Sequence, residues 1–285
     1  PSSNQITSLE SQMIHPMQYV PGQTLMGGGS GRRNVAGRLD HGGEWITATD
    51  WPLPRTDSTP WYLHAGGALA AQRPASNASP LSYVYDPRNP VPSIGGTITS
   101  GEPVMIGGAF DQVEGPRFFG SKPPYRPLRE RADVLAFESA PLTQPLAILG
   151  PILVELWIAS DAPDTDFTAK LIDVHPPSAD YPDGFAMNIT DGILRCRYRE
   201  SWEEPRALEP GRPTRITVAC FPTANLFMPG HRIRLDIASS NYPHFDLNPN
   251  TFEPEGLWSS MRVATNQVFV DSARPSHVVL PLVAL

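Results

Sequence analysis

Gly150-Pro-Ile-Leu-Val-Glu-Leu-Trp-Ile-Ala-Ser160, Asp161-Ala-Pro-Asp-Thr-Asp166 and Phe167-Thr-Ala-Lys-Leu-Ile-Asp-Val174 together decide the fold of this chain. In the first run Ile152, Val154, Leu156 and Ile158 share one face and Glu155 takes the other, the period of two that marks a strand covering a core. Asp161 to Asp166 break the run with a proline and carboxylates, and Phe167–Val174 reads as a second strand. The Pro182-Asp183-Gly184 turn then leads to a third region, Phe185–Tyr198, with a corner expected at Asp191-Gly192. The pattern is antiparallel β.

Composition extends this reading outward. The 285 residues include 33 prolines and 23 glycines, which leave few windows for a helix because an interior proline costs about 3 kcal/mol there. An all-α fold is excluded, while the length suffices for a large core without disulfides. Cys196 and Cys220 fall at apolar-face positions with no Cys-x-x-Cys spacing and read as buried thiols. A net charge of -7 argues against nucleic acid and anionic membranes, whose binding needs clustered Lys and Arg. The sequence holds no run of about 18 or more apolar residues, the length a spanning helix would need. A water-soluble chain is expected, with the compartment open and the cytoplasm slightly favoured.

Pro1 to Thr24 show no periodicity and read as a tail. Met26 to Arg33 look like a phosphate cradle, but no Gly-Lys-Ser/Thr end follows, and Arg32 defeats both a G-x-G-x-x-G register starting at Gly27 and a G-x-S-x-G elbow centred on Ser30. Trp51–Pro54, Trp61–His64 and Ser82–Tyr85 are short extended runs between turns such as Gly66-Gly67 and Asp86–Pro90. They suggest an extended connector lying over a neighbouring surface. Further strands are expected at Asp133–Phe137, Thr214–Phe221, His231–Ile237, Gln267–Val270 and Ser276–Leu282. In His231–Ile237, Ile233, Leu235 and Ile237 alternate with Arg232, Arg234 and Asp236, giving one dry and one wet face. About eight strands with turns between them point to a jelly-roll β-sandwich.

Several runs carry a family resemblance. Arg131–Leu142, Ser160–Val174, Asn188–Arg195, Pro229–Leu235 and Ser239–Thr251 resemble, in order, the C-terminal jelly-roll domain of the cocaine esterase and X-Pro dipeptidyl-peptidase family of serine hydrolases. Glutaryl acylases and α-amino acid ester hydrolases belong to the same family. Trp51–Pro54, Tyr83–Pro87, Ile94–Gly96 and Asp111-Gln112 resemble the connector before that domain. The resemblance implies an all-β fold of galactose-binding-like jelly-roll type, divided into an unmatched tail 1–26, a connector 27–125 and the sandwich 126–285.

In that family the chemistry belongs to an α/β-hydrolase domain with a Ser nucleophile on its elbow, followed by Asp and His. No such elbow occurs here, and His15 lacks the context of the family's His. No catalytic, cofactor-binding or metal residue is therefore assigned, and no cofactor is expected. The implied function is that of a non-catalytic fragment of a hydrolase cleaving ester, amide or X-Pro bonds. Its implied partner is the missing α/β-hydrolase domain, whose cleft it would help shape. A homo-oligomer is a further candidate partner.

Other constellations have weaker claims. Asp161, Asp164, Asp166 and Asp173 could suit Ca²⁺, but they lack the order of an EF-hand loop and read as turn caps. His244, Asp246 and Asn248 offer an acid-base pair with a positioning amide, or simply an Asx-rich loop. His41 has no Ser, Cys or second His at a ligand spacing. A hydrolase on unusual residues would need Ser or Asp close to His64, His231 or His244 in space. The alternative function is a carbohydrate-binding module, for which Trp157, Trp202 and Trp258 would have to form a solvent-facing platform.

Overall fold

The computed structural model describes residues 24–27, 44–47, 56–75, 77–97, 101 and 106–284. His15, His41, Ser30 and Trp51–Pro54 lie outside them. Thirteen strands follow in order: β1 Thr24–Gly27, β2 Glu44–Thr47, β3 Asp57–Leu63, β4 Leu69–Ala70, β5 Leu81–Tyr85, β6 Leu135–Glu138 and β7 Leu146–Ser160. Then come β8 Asp166–His175, β9 Phe185–Arg195, β10 Thr214–Phe227, β11 Arg232–Ala238, β12 Ala264–Val268 and β13 His277–Val283. Apart from two 3₁₀ turns, the described residues are all β and irregular.

β1 pairs with β2 alone, and the other strands form two antiparallel sheets. One has seven strands in the order β4-β3-β13-β7-β12-β5, with β10 on the other edge of β7; the second runs β6-β11-β8-β9. Ile152, Val154, Leu156 and Ile158 of β7 are fully buried, as their alternation requires. They pack in one cluster with Ile216 and Val218 of β10, Phe167, Ala169 and Leu171 of β8, and Ile233, Leu235 and Ile237 of β11. Inward faces from both sheets sharing one core make a β-sandwich.

Three of the expected details differ. The corner at Asp191-Gly192 is absent, and β9 runs straight through it. Gly192 is there because a Cβ would stand 2.3 Å from the carbonyl oxygen of Ala219, so the residue is small for close approach of β9 to β10. The true turn is at Pro182-Asp183-Gly184, where Gly184 takes φ +83° and donates to the Tyr181 carbonyl at 2.9 Å. β7 starts at Leu146, four residues before Gly150, and both neighbours shift register where Gly150-Pro151 interrupt the ladder.

The polar face of β11 is wet only at Arg232, while Arg234 and Asp236 are buried. Arg234 is 2% exposed and pairs with Asp236 through two bonds of 3.0 and 3.1 Å. Val91, Ile94, Leu128 and Val134 pack with Ala238 in a smaller second core, with Phe110 and Phe118 against it. The segment before β6 thus covers the outer face of the four-stranded sheet. Earlier parts of it go further, since β3 pairs with β13 and β5 with β12 inside the larger sheet.

Candidate functional site

Three buried polar clusters are candidates. The first grows from the acidic corner after β7. Ser160, not an aspartate, caps that turn by accepting the N–H of Ala162 at 3.1 Å. Asp164 is fully buried and accepts the backbone N–H of Arg197 at 2.9 Å and its Nε at 2.7 Å. Asp166 accepts Nε and Nη2 of Arg195 at 3.1 and 3.2 Å, and Asn248 Nδ2 bridges the two carboxylates at 3.0 and 2.7 Å. Burial pushes the Asp166 carboxyl up to about 6, against the pull of the Arg195 guanidinium. Asp161 is elsewhere, accepting the Thr265 N–H, and Asp173 belongs to another cluster. The four carboxylates do not converge: Asp164 and Asp166 share Asn248 and pair with arginines, while Asp161 caps a backbone N–H and Asp173 lies in another cluster.

The second cluster lies beneath the outer cover. Lys170 of β8 donates Nζ to Gln112 Oε1 at 2.9 Å, and Asp191 accepts Asn241 Nδ2 at 3.0 Å. Burial pulls the Lys170 ammonium below its ordinary value, opposed by Asp191 and Asp236. Burial alone would raise Asp191, but His244, Lys170 and Asn241 outweigh it and hold the carboxyl below its usual range. A cavity of about 20 Å³ between Lys170, Asp191, Asp236 and Asn241 has room for roughly one water, not for a substrate. His244 Nδ1 stands 3.6 Å from Asp191, beyond hydrogen-bond length, and Nε2 lies 3.4 Å from Thr97 Oγ1. Carboxylate, imidazole and hydroxyl are in line but loosely spaced. Asp246 is exposed and Asn248 serves the first cluster, so His244, Asp246 and Asn248 do not converge.

The third cluster sits at the far end of β8. The inward face of that strand reads Phe167, Ala169, Leu171, then Asp173 and His175, passing from apolar to polar at the end of the core. Asp173 Oδ1 is 2.8 Å from His231 Nδ1, and Asp173 Oδ2 is 3.7 Å from His175 Nε2 and accepts Asn225 Nδ2 at 3.3 Å. The two imidazole rings are 4.2 Å apart, and His175 meets Phe185 edge-on. His64 is apart from all three, with Nε2 2.9 Å from the Gln72 carbonyl.

Sequence reasoning named most of these acids and His231 and His244, but not Arg195, Arg197, Lys170, His175 or Asn225 as their partners. Inward register on β8 is the signal that could have linked Asp173 with His175. Of the tryptophans, Trp157 is half-buried, Trp258 is 44% exposed, and Trp202 is 76% exposed and stacked on Tyr198.

Comparison with known families decides what this sandwich is. The family described as the X-Pro dipeptidyl-peptidase C-terminal non-catalytic domain matches residues 24–279. The chain belongs to this family. As such a C-terminal domain it is 38% identical over 253 residues to the cocaine esterase of Rhodococcus sp. (strain MB1 Bresler), covering 84% of this chain and 40% of that protein. A crystallised α-amino acid ester hydrolase superposes with a TM-score of 0.71 at 31% identity, over 84% of this chain and 39% of its own. An aminopeptidase from a marine sediment archaeon, Thaumarchaeota archaeon, gives 0.71 at 27% identity, over 85% of this chain and 39% of its own. The domain thus spans about 40% of the length of these relatives. No helix among the described residues is long and apolar enough to cross a membrane.

Proposed function

We propose that this non-catalytic sandwich packs on an α/β-hydrolase domain that supplies the Ser, Asp and His, and helps shape the cleft of an enzyme cleaving ester, amide or X-Pro peptide bonds. The observation that carries the reading is the match over residues 24–279 to a non-catalytic domain, alongside relatives more than twice as long. Apolar side chains left in solvent support it: Leu257, Trp258 and Val263 enter β12, whose partner β5 carries Val84 at 55% exposure. Within the chain the division is taken at 27 and 126, with the intervening segment clasping the sandwich. The chain is taken to be water-soluble, its compartment open with the cytoplasm slightly favoured, free to form a homo-oligomer and without nucleic-acid or membrane partners. A sugar platform is the poorer reading, because one stacked Trp202–Tyr198 pair is less than a flat row of rings.

The test is hydrolysis of aryl esters and an X-Pro-linked chromogenic amide by the purified chain, beside labelling with a serine-directed fluorophosphonate. Neither turnover nor labelling is expected. Turnover abolished by labelling of one serine would overturn the reading.

A further inference from the structure

We propose that Asp173, His175 and His231 form a binding site for a divalent transition metal, with zinc as the best-suited ion. The three residues are all buried, and one donor atom from each lies within 4.8 Å of the others. With zinc bonds of about 2.0–2.1 Å to nitrogen and oxygen, tetrahedral donors stand ~3.3 Å apart. Asp173 offers one oxygen to each ring, Oδ1 at 2.8 Å from His231 Nδ1 and Oδ2 at 3.7 Å from His175 Nε2, separations that lie either side of that value. Rotation of the carboxylate and of the two rings, whose centroids are 4.2 Å apart, would bring the three donors around one ion.

The donor set is chemically coherent. Two imidazoles and a carboxylate suit Zn²⁺ better than Ca²⁺ or Mg²⁺, which prefer all-oxygen shells. Asn225, already bonded to Asp173 Oδ2, orients the carboxylate from the opposite sheet. A water can complete the shell. An entry path exists, because the His231 side chain keeps 11% of its surface exposed while Asp173 is fully covered. His231 follows Gly230 at the start of β11, whereas Asp173 and His175 end β8 and Asn225 comes from β10. A bound ion would therefore tie the end of β8 to the entry of β11 within the four-stranded sheet, with Asn225 of β10 linked to it through Asp173, independently of any hydrolase chemistry.

The test is equilibrium binding of ZnSO₄ to the EDTA-stripped, dialysed chain, with metal content measured by mass spectrometry and thermal unfolding followed in parallel. A single zinc per chain is expected, with Tm rising as zinc is added. His231→Gln should weaken binding by at least ~100-fold, since even outer-shell changes weaken metal sites by 10–100-fold. His64→Gln, in a histidine remote from the cluster, should leave binding unchanged. Absence of bound zinc, or retention of full affinity in His231→Gln, would overturn the proposal. Should that variant fail to fold, the visible spectrum of the Co²⁺-loaded unmodified chain decides: tetrahedral absorption supports the site, and its absence overturns it.

Discussion

Arg197 holds Asp164 with two groups at once, its backbone N–H at 2.9 Å and its Nε at 2.7 Å, at a place where the carboxylate is wholly shut off from water. The guanidinium goes on to donate Nη1 to the Glu253 carbonyl at 2.7 Å and lies 4.7 Å over the Phe252 ring. One side chain thus joins the β7–β8 corner to the loop before β12.

Removing one member leaves the other charge buried and unpaired, which costs about 3–5 kcal/mol. Asp164→Ala should lower the unfolding free energy by that amount in urea titrations. A double replacement of Asp164 and Arg197 by apolar residues should be less damaging than the sum of the single ones.

Gly192→Ala should destabilise the sandwich by about 1–3 kcal/mol, the usual effect of an added methyl with no room. A Cβ there would meet the Ala219 carbonyl oxygen at 2.3 Å and Cys220 Cα at 2.9 Å, backbone atoms that cannot rotate away. Gly211→Ala, with no atom within 4 Å of its Cβ, shares none of this contact, though its φ of +76° adds a backbone penalty of its own. Thermal unfolding of both variants separates the two causes.

Cys196 and Cys220 are unpaired and buried, and burial pushes both thiols up, furthest from the reactive thiolate. Ellman's reagent at about pH 8 should find no fast-reacting thiol in the native chain. Both should react once the chain is unfolded in guanidinium.

Asp191 gives an acid-limb signature. Its folded-state carboxyl is held below the ordinary range, so its contribution to stability is present above the unfolded value of about 3.9 and is lost as pH falls through the folded one. Unfolding free energy should therefore drop as pH falls below about 4. Asp191→Asn should flatten that limb while lowering stability at neutral pH, where Lys170 would lose its compensating charge.

The core was legible because alternation is a local signal: Ile152 to Ile158 and Ile233 to Ile237 sit inside as their spacing requires. What covers the other face of a strand is not local. Arg234 and Asp236 look like solvent-facing residues until Val91, Leu128 and Val134 close over the sheet. The same holds for Asp191-Gly192, a turn signal by residue type whose glycine answers instead to a carbonyl on another strand. Cluster membership was the least legible of all, since Asp173, Asn225 and His231 meet only through the packing of β8, β10 and the entry to β11.

β3 and β13 are neighbours in the larger sheet, with Trp61 opposite Val278, although they belong to opposite ends of the described chain. Pairings between such distant segments close a very long loop before they return any contact energy, so folding is slow and late. A ribosome-bound chain that has not yet released β13 leaves both β3 and one edge of β7 as open ladders, the kind of exposed edge that other chains can join. Aggregation during synthesis, rather than instability of the finished sandwich, is then the hazard this topology carries.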